Sequence, residues 1–252
     1  MASAQVAPYG SWNSPIKSGD IASATLRLGW PAYDEAGNLY WLEGRPSEGG
    51  RQVVVRRDRH GKLTDAVPSG FNVRTLVHEY GGGSYAVNSA AVYFTNFADQ
   101  CVYRAEQGKE PVAITPPGKF RYADPVIDEA RRRSIWVRED HSVAGAEATN
   151  TLVLLATDKL NPDGGRILAE GNNFYSTPRI SADGKYLAWL TWNHPNMPWD
   201  GTELWVAELA ENGDLNHKRC IAGGADESVF QPEWSQDGTL YFVADQSGWW
   251  NI

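Results

Sequence analysis

The chain has 252 residues, a formal net charge of −8, 42% hydrophobic and 21% charged residues, which suits a globular protein of one or two domains. Its pI near 5.2, with no basic cluster larger than Arg131-Arg132-Arg133, excludes a nucleic-acid surface, because phosphate neutralisation needs cations. No run of about 18 apolar residues is present to span a membrane as a helix.

Met1 to Trp12 lacks the basic and then apolar segments of a secretory leader, so the expected location is cytoplasmic. Cys101 and Cys220 could form one disulfide, but two free thiols fit that compartment better. No Cys/His cluster has zinc-ligand spacing, and neither metal nor cofactor is expected. With 11 Trp, 11 Tyr, 7 Phe, 25 Gly and 14 Pro, the composition leans towards strands and turns.

Five segments repeat a strand, a polar turn and a second strand, with turns at Asp34, Asn88, Asp128, Ser181 and Ser235. The spacings are 54, 40, 53 and 54 residues. Ser181-Ala182-Asp183-Gly184 and Ser235-Gln236-Asp237-Gly238 place Gly where a hairpin needs positive φ, as does Gly37 in the first unit. Pro31, Pro125, Pro178 and Pro232 are expected at the start of each first strand, where a missing N–H costs least. Third strands are predicted at Gln52–Arg56, Gln100–Arg104, Thr151–Leu155 and Glu203–Ala207.

A four-stranded unit of about 50 residues is a β-propeller blade, too small to bury a core alone. The predicted fold is therefore all-β: a propeller of four-stranded antiparallel blades, with about five present and the ring incomplete. The last unit stops at Gly248–Ile252, where its third strand should run. Residues 1–252 are expected to form one partial propeller domain. An open arc follows, or an oligomer or aggregate that covers the exposed blade edge.

Several stretches go beyond a generic propeller. They are Tyr9–Pro15, Tyr40–Arg51, Phe71–Gly83, Tyr93–Gln100, Val137–His141, Trp189–Trp205 and Ser247–Asn251. Together these resemble the N-terminal propeller of the prolyl oligopeptidase family of serine peptidases, nearest to its dipeptidyl-aminopeptidase/acylaminoacyl-peptidase branch. The resemblance implies seven blades capping an α/β-hydrolase domain that follows in sequence and carries a Ser-Asp-His triad. This chain departs by ending about five blades in, so the triad domain and about two blades are expected to lie outside it. The implied partners are a peptide substrate and that hydrolase domain.

Two segments imitate hydrolase motifs. Gly82-Gly83-Ser84-Tyr85-Ala86 has Ala where a nucleophile elbow has its last glycine, and a hairpin pattern follows it instead of a helix. His78-Glu79-Tyr80-Gly81-Gly82-Gly83 is an interrupted oxyanion-type loop. No catalytic residue is assigned to this chain.

Substrate-binding candidates come from two loops. In aminopeptidase members of the family, acidic propeller residues bind the substrate amine, which makes Glu79 the leading candidate, flanked by His78 and Tyr80. The plainer reading is a Glu79 that hydrogen-bonds the glycine-rich loop. The second loop, Trp192 to Asp200, is stiffened by two prolines and offers His194, Asn196 and Trp199 for lining a cavity or docking the hydrolase domain; packing within its own blade is the alternative. Arg138-Glu139-Asp140-His141 reads as a solvated strand end, and Trp249-Trp250 as packing between blades. Two other readings stay open: a stand-alone propeller acting as a protein-interaction module, and a periplasmic propeller, which the missing leader disfavours.

Overall fold

The computed structural model describes residues 6–23 and 25–252. A short helix, α1 (Ser18–Ser23), precedes five antiparallel sheets. The first has strands β1 (Arg27–Tyr33), β2 (Leu39–Arg45), β3 (Arg51–Arg57) and β4 (Leu63–Asp65). The second has β5 (Tyr85–Val87), β6 (Val92–Thr95), β7 (Val102–Ala105) and β8 (Val112–Ala113). The third has β9 (Phe120–Asp128), β10 (Arg133–Asp140), β11 (Thr149–Ala156) and β12 (Arg166–Ala169). The fourth has β13 (Phe174–Ile180), β14 (Tyr186–Trp192), β15 (Glu203–Leu209) and β16 (Leu215–Gly223). The fifth holds only β17 (Val229–Trp234) and β18 (Leu240–Ala244), with a single bridge from Ala244 to Asn251 where a third strand begins. Neighbours pair in sequence order within every sheet, as expected of an incomplete propeller.

The predicted turns form as their chemistry requires. Gly37, Gly184 and Gly238 take φ of 75°, 72° and 85°. Ser181 Oγ donates to Asp183 and accepts the Tyr186 N–H at 2.9 Å, closing its hairpin. The prolines differ from expectation. Each sits inside its strand, just after a residue in left-handed conformation: Trp30 (φ 54°), Asp124 (49°), Thr177 (52°) and Gln231 (51°). The register slips at these points in β1, β9, β13 and β17, so each is a bulge. A missing N–H is harmless there because each inner strand is an edge strand, pairing on one side only.

Period-two alternation builds one core between each pair of blades. In β10, Ile135 and Val137 face the fourth blade, whereas Trp136 faces the second. In β14, Leu187 and Trp189 face the third blade, whereas Ala188 and Leu190 face the fifth. Both faces are covered, so β10 and β14 are buried almost throughout, and β14 reads as a nearly continuous apolar run. Trp136 and Trp189 are among the largest fully buried side chains, each contributing about 3 kcal/mol. Trp249 and Trp250 are 79% and 52% exposed, with no sheet among the described residues beyond β18. Cys101 and Cys220 are free thiols.

Candidate functional site

The crossover from β4 to β5 and the loop from β14 to β15 emerge at the same end of the arc. They meet over an aromatic cluster. The His78 ring lies 5.5 Å from Phe174 and 5.3 Å from Trp192, both edge-on. His194 packs edge-on against the same Phe174 at 5.0 Å. Asn193 anchors the second loop by accepting the Asn173 N–H at 2.7 Å and donating to Asn172 at 2.8 Å. His194 also reaches Glu147 at 3.2 Å.

The crossover turns sharply through two successive left-handed residues, His78 (φ 55°) and Glu79 (φ 63°). Glu139 holds the turn from the neighbouring blade, accepting the His78 N–H at 2.7 Å. Its other oxygen meets His141 Nε2 at 2.9 Å. Arg121 donates to the Leu76 carbonyl at 2.9 Å and to Glu79 at 2.6 Å, with Glu139 3.8 Å away. Arg138-Glu139 is therefore no solvated strand end. Glu139 is 4% exposed, and Arg138, 6% exposed, stacks its guanidinium over Phe120 at 4.5 Å.

Glu79 is exposed, and its hydrogen bond from Arg121 lowers its pKa. It bonds Arg121 and not the glycine-rich loop. Burial lowers the His78 pKa below the usual 6.5, against the pull of Glu139 and Asp124. An imidazole neutral in the fold but readily protonated when unfolded contributes stability above about pH 6.5 that is lost as pH falls. His78→Phe is expected to flatten the melting temperature between about pH 7 and pH 5, read by calorimetry against the parent chain.

An axial cavity of about 1110 Å³ opens beside the two loops. His78, Tyr80 and Trp199 line it; Glu79, His194 and Asn196 do not. Asn196 instead donates to the Ala225 carbonyl at 2.7 Å. Trp30, Asp124 and Phe230, from inner strands of three blades, complete the wall, and sequence reading had missed all three. The repeated residue-before-proline position was a signal for Trp30 and Asp124. Ser84 is no nucleophile: it is 2% exposed and donates to the Val73 carbonyl at 3.3 Å. Among the described residues no cluster of His, Cys, Asp and Glu could hold a metal ion.

Antiparallel sheets fanned in sequence order, with one core between neighbours and loops gathered over an axial cavity, define a propeller. No protein-family model matches the chain, and no curated protein does. Solved structures do. A mutant of puromycin hydrolase complexed with PGG is 35% identical over 97% of this chain, with a TM-score of 0.89. A puromycin-hydrolyzing peptidase of Mycobacterium tuberculosis is 37% identical over 98% of it, with a TM-score of 0.88. Prolyl oligopeptidase B from Galerina marginata shares the fold at 14% identity over 90% of the chain, with a TM-score of 0.57. The chain spans 40% of the length of the two puromycin-hydrolysing proteins and 35% of the third. The chain is similar to the β-propeller part of these puromycin-hydrolysing proteins and shares the prolyl oligopeptidase propeller fold, with four full blades and half of a fifth among the described residues.

Proposed function

We propose that this propeller gates and positions short peptide-like substrates for a serine-hydrolase domain of the same polypeptide, in the cytoplasm, in an aminopeptidase or acylaminoacyl-peptidase. The observation that carries the reading is 35% and 37% identity to puromycin-hydrolysing proteins across nearly the whole chain. The meeting of the two loops at the cavity mouth supports it, because binding residues are best placed on loops held by a rigid scaffold. In this reading His78, Tyr80 and Trp199 wall the bound substrate, while Glu79, His194 and Asn196 shape the mouth. A ring of blades above the reacting serine admits short chains and keeps folded proteins out.

The 252-residue chain is then expected to show no turnover of puromycin or of aminoacyl and acylaminoacyl p-nitroanilides. Turnover abolished by Ser84→Ala would overturn the reading. In the full polypeptide, Tyr80→Ala and Trp199→Ala are expected to raise KM about tenfold with kcat nearly unchanged, since an aromatic contact contributes about 1 kcal/mol beyond its buried area.

A further inference from the structure

Three buried polar atoms at the loop end of the third and fourth blades have no protein hydrogen-bond partner. They are His78 Nε2, Asn150 Oδ1 and Thr191 Oγ1. Asn150 is 5% exposed and Thr191 0%. A buried polar atom left unmet is costly, so three at one place need a common answer.

The three come from the crossover, from β11 and from β14, and the strand period brings them together. Val77, Leu152 and Trp189 share one apolar core. Asn150 lies two residues from Leu152 and Thr191 two from Trp189, each on the same face and nearer the loops. His78 follows Val77 directly. Glu139, the cross-strand partner of Asn150, accepts the His78 N–H and so sets the ring beside them. Burial lowers the His78 pKa, and the Asn150 amide is among the groups that oppose it, which puts that amide within reach of the ring. Asn150 Nδ2 donates to the Ala148 carbonyl at 3.4 Å, so the unmet atom of the amide is its oxygen.

Hydrogen counting selects the arrangement. A direct bond from a His78 Nε2–H to Asn150 would meet two atoms and leave the Thr191 hydroxyl unmet. One water meets all three. It donates one hydrogen to Asn150 Oδ1, which can only accept, and takes the Thr191 hydroxyl hydrogen. Its second hydrogen needs an acceptor, and a bare Nε2 is the one that remains. A proton on Nε2 would instead leave one hydrogen of the set without an acceptor. The ring proton therefore belongs on Nδ1. His78 lines the axial cavity, and its Nδ1 is not among the sealed atoms, so that N–H is open to the cavity.

We propose that one internal water bridges His78, Asn150 and Thr191, and that it fixes His78 as a neutral Nδ1–H donor facing the axial cavity. Asn150 and Thr191 are then positioning residues that act through the water. In the substrate-positioning reading the donor meets a carbonyl oxygen of the bound peptide, and only that use of it rests on the reading.

Nitrogen-15 NMR of the imidazole rings reads the tautomer, with the His78 signals identified by their loss in His78→Phe. In the 252-residue chain, above the usual histidine range of pH, His78 is expected to show a protonated Nδ1 and a bare Nε2. Thr191→Val keeps the shape and removes the hydroxyl. A direct Nε2–H bond to Asn150 then satisfies both remaining atoms, so most of the population is expected to move its proton to Nε2. A Thr191 that only packs would change the melting temperature and leave the tautomer alone. A crystal structure of the parent chain is expected to show one water within about 3 Å of all three atoms. An Nε2–H ring in the parent overturns the proposal, as does a dry site with His78 bonded directly to Asn150. An unchanged tautomer in Thr191→Val overturns it too. If that variant fails to fold, the parent's tautomer and water decide. Turnover by the full polypeptide tests the peptidase reading separately, and its absence would leave the water and the tautomer standing.

Discussion

Asp128→Ala is expected to destabilise the chain by about 3–5 kcal/mol and to lower its melting temperature by roughly 10 °C. Asp128 and Arg133 are both buried, with side chains 4% and 6% exposed, and pair at 2.8 Å. Arg133 also reaches across to the next blade, donating to the Glu211 carbonyl at 2.9 Å and the Ala210 carbonyl at 3.3 Å. Removing the carboxylate leaves a guanidinium buried with neutral carbonyl partners alone. Desolvation of that charge then dominates, which is why breaking a buried pair costs more than the pair itself contributes. The corollary separates the two effects: Asp128→Ala with Arg133→Met should recover most of the loss, because it removes the charge and keeps the volume. Calorimetry of the parent, both single variants and the double variant closes the cycle. A loss below about 1 kcal/mol in Asp128→Ala would mean that water reaches Arg133.

The same pair shows what sequence could and could not convey. Asp128 was legible as a hairpin turn, because its place in the repeat matches Asp34, Ser181 and Ser235. Its burial was not, since that depends on Arg133 closing over it and on the next blade. Arg138-Glu139 was misread for a related reason. Charged residues at a strand end are usually solvated, but β10 is covered on both faces, and the partners that repay the burial are remote in sequence. Phe120 stacks under Arg138, and the His78 N–H lies 61 residues from Glu139. The loop around Glu79 was found from its sequence, yet Arg121, 42 residues on, had no local mark. Asp124 did have one. It is the only acid among the residues that precede the repeated prolines, beside Trp30, Thr177 and Gln231. What obscured it was placing those prolines at strand starts, away from the bulges that turn their neighbours towards the axis.

The largest effect expected at the candidate site comes from Glu139, although it does not line the cavity. Two successive L-residues in left-handed conformation, His78 and Glu79, cost about 1–2 kcal/mol each. The turn persists because Glu139 accepts the His78 N–H at 2.7 Å and Arg121 clamps Leu76 and Glu79. Glu139→Ala removes the first clamp and takes from Arg121 a nearby carboxylate. The expected cost is about 3 kcal/mol, with the loss concentrated in the crossover. Hydrogen exchange should show residues 76–81 losing at least tenfold in protection, while β14, set in cores on both faces, keeps its own. Glu139→Gln retains an acceptor for the His78 N–H and should cost about 1 kcal/mol, which separates the hydrogen bond from the charge. Unchanged protection of residues 76–81 in Glu139→Ala would mean that the turn is held by Arg121 and the glycine run alone. Protection lost in proportion throughout the chain would instead make Glu139 a general strut between blades, with no special hold on the loop.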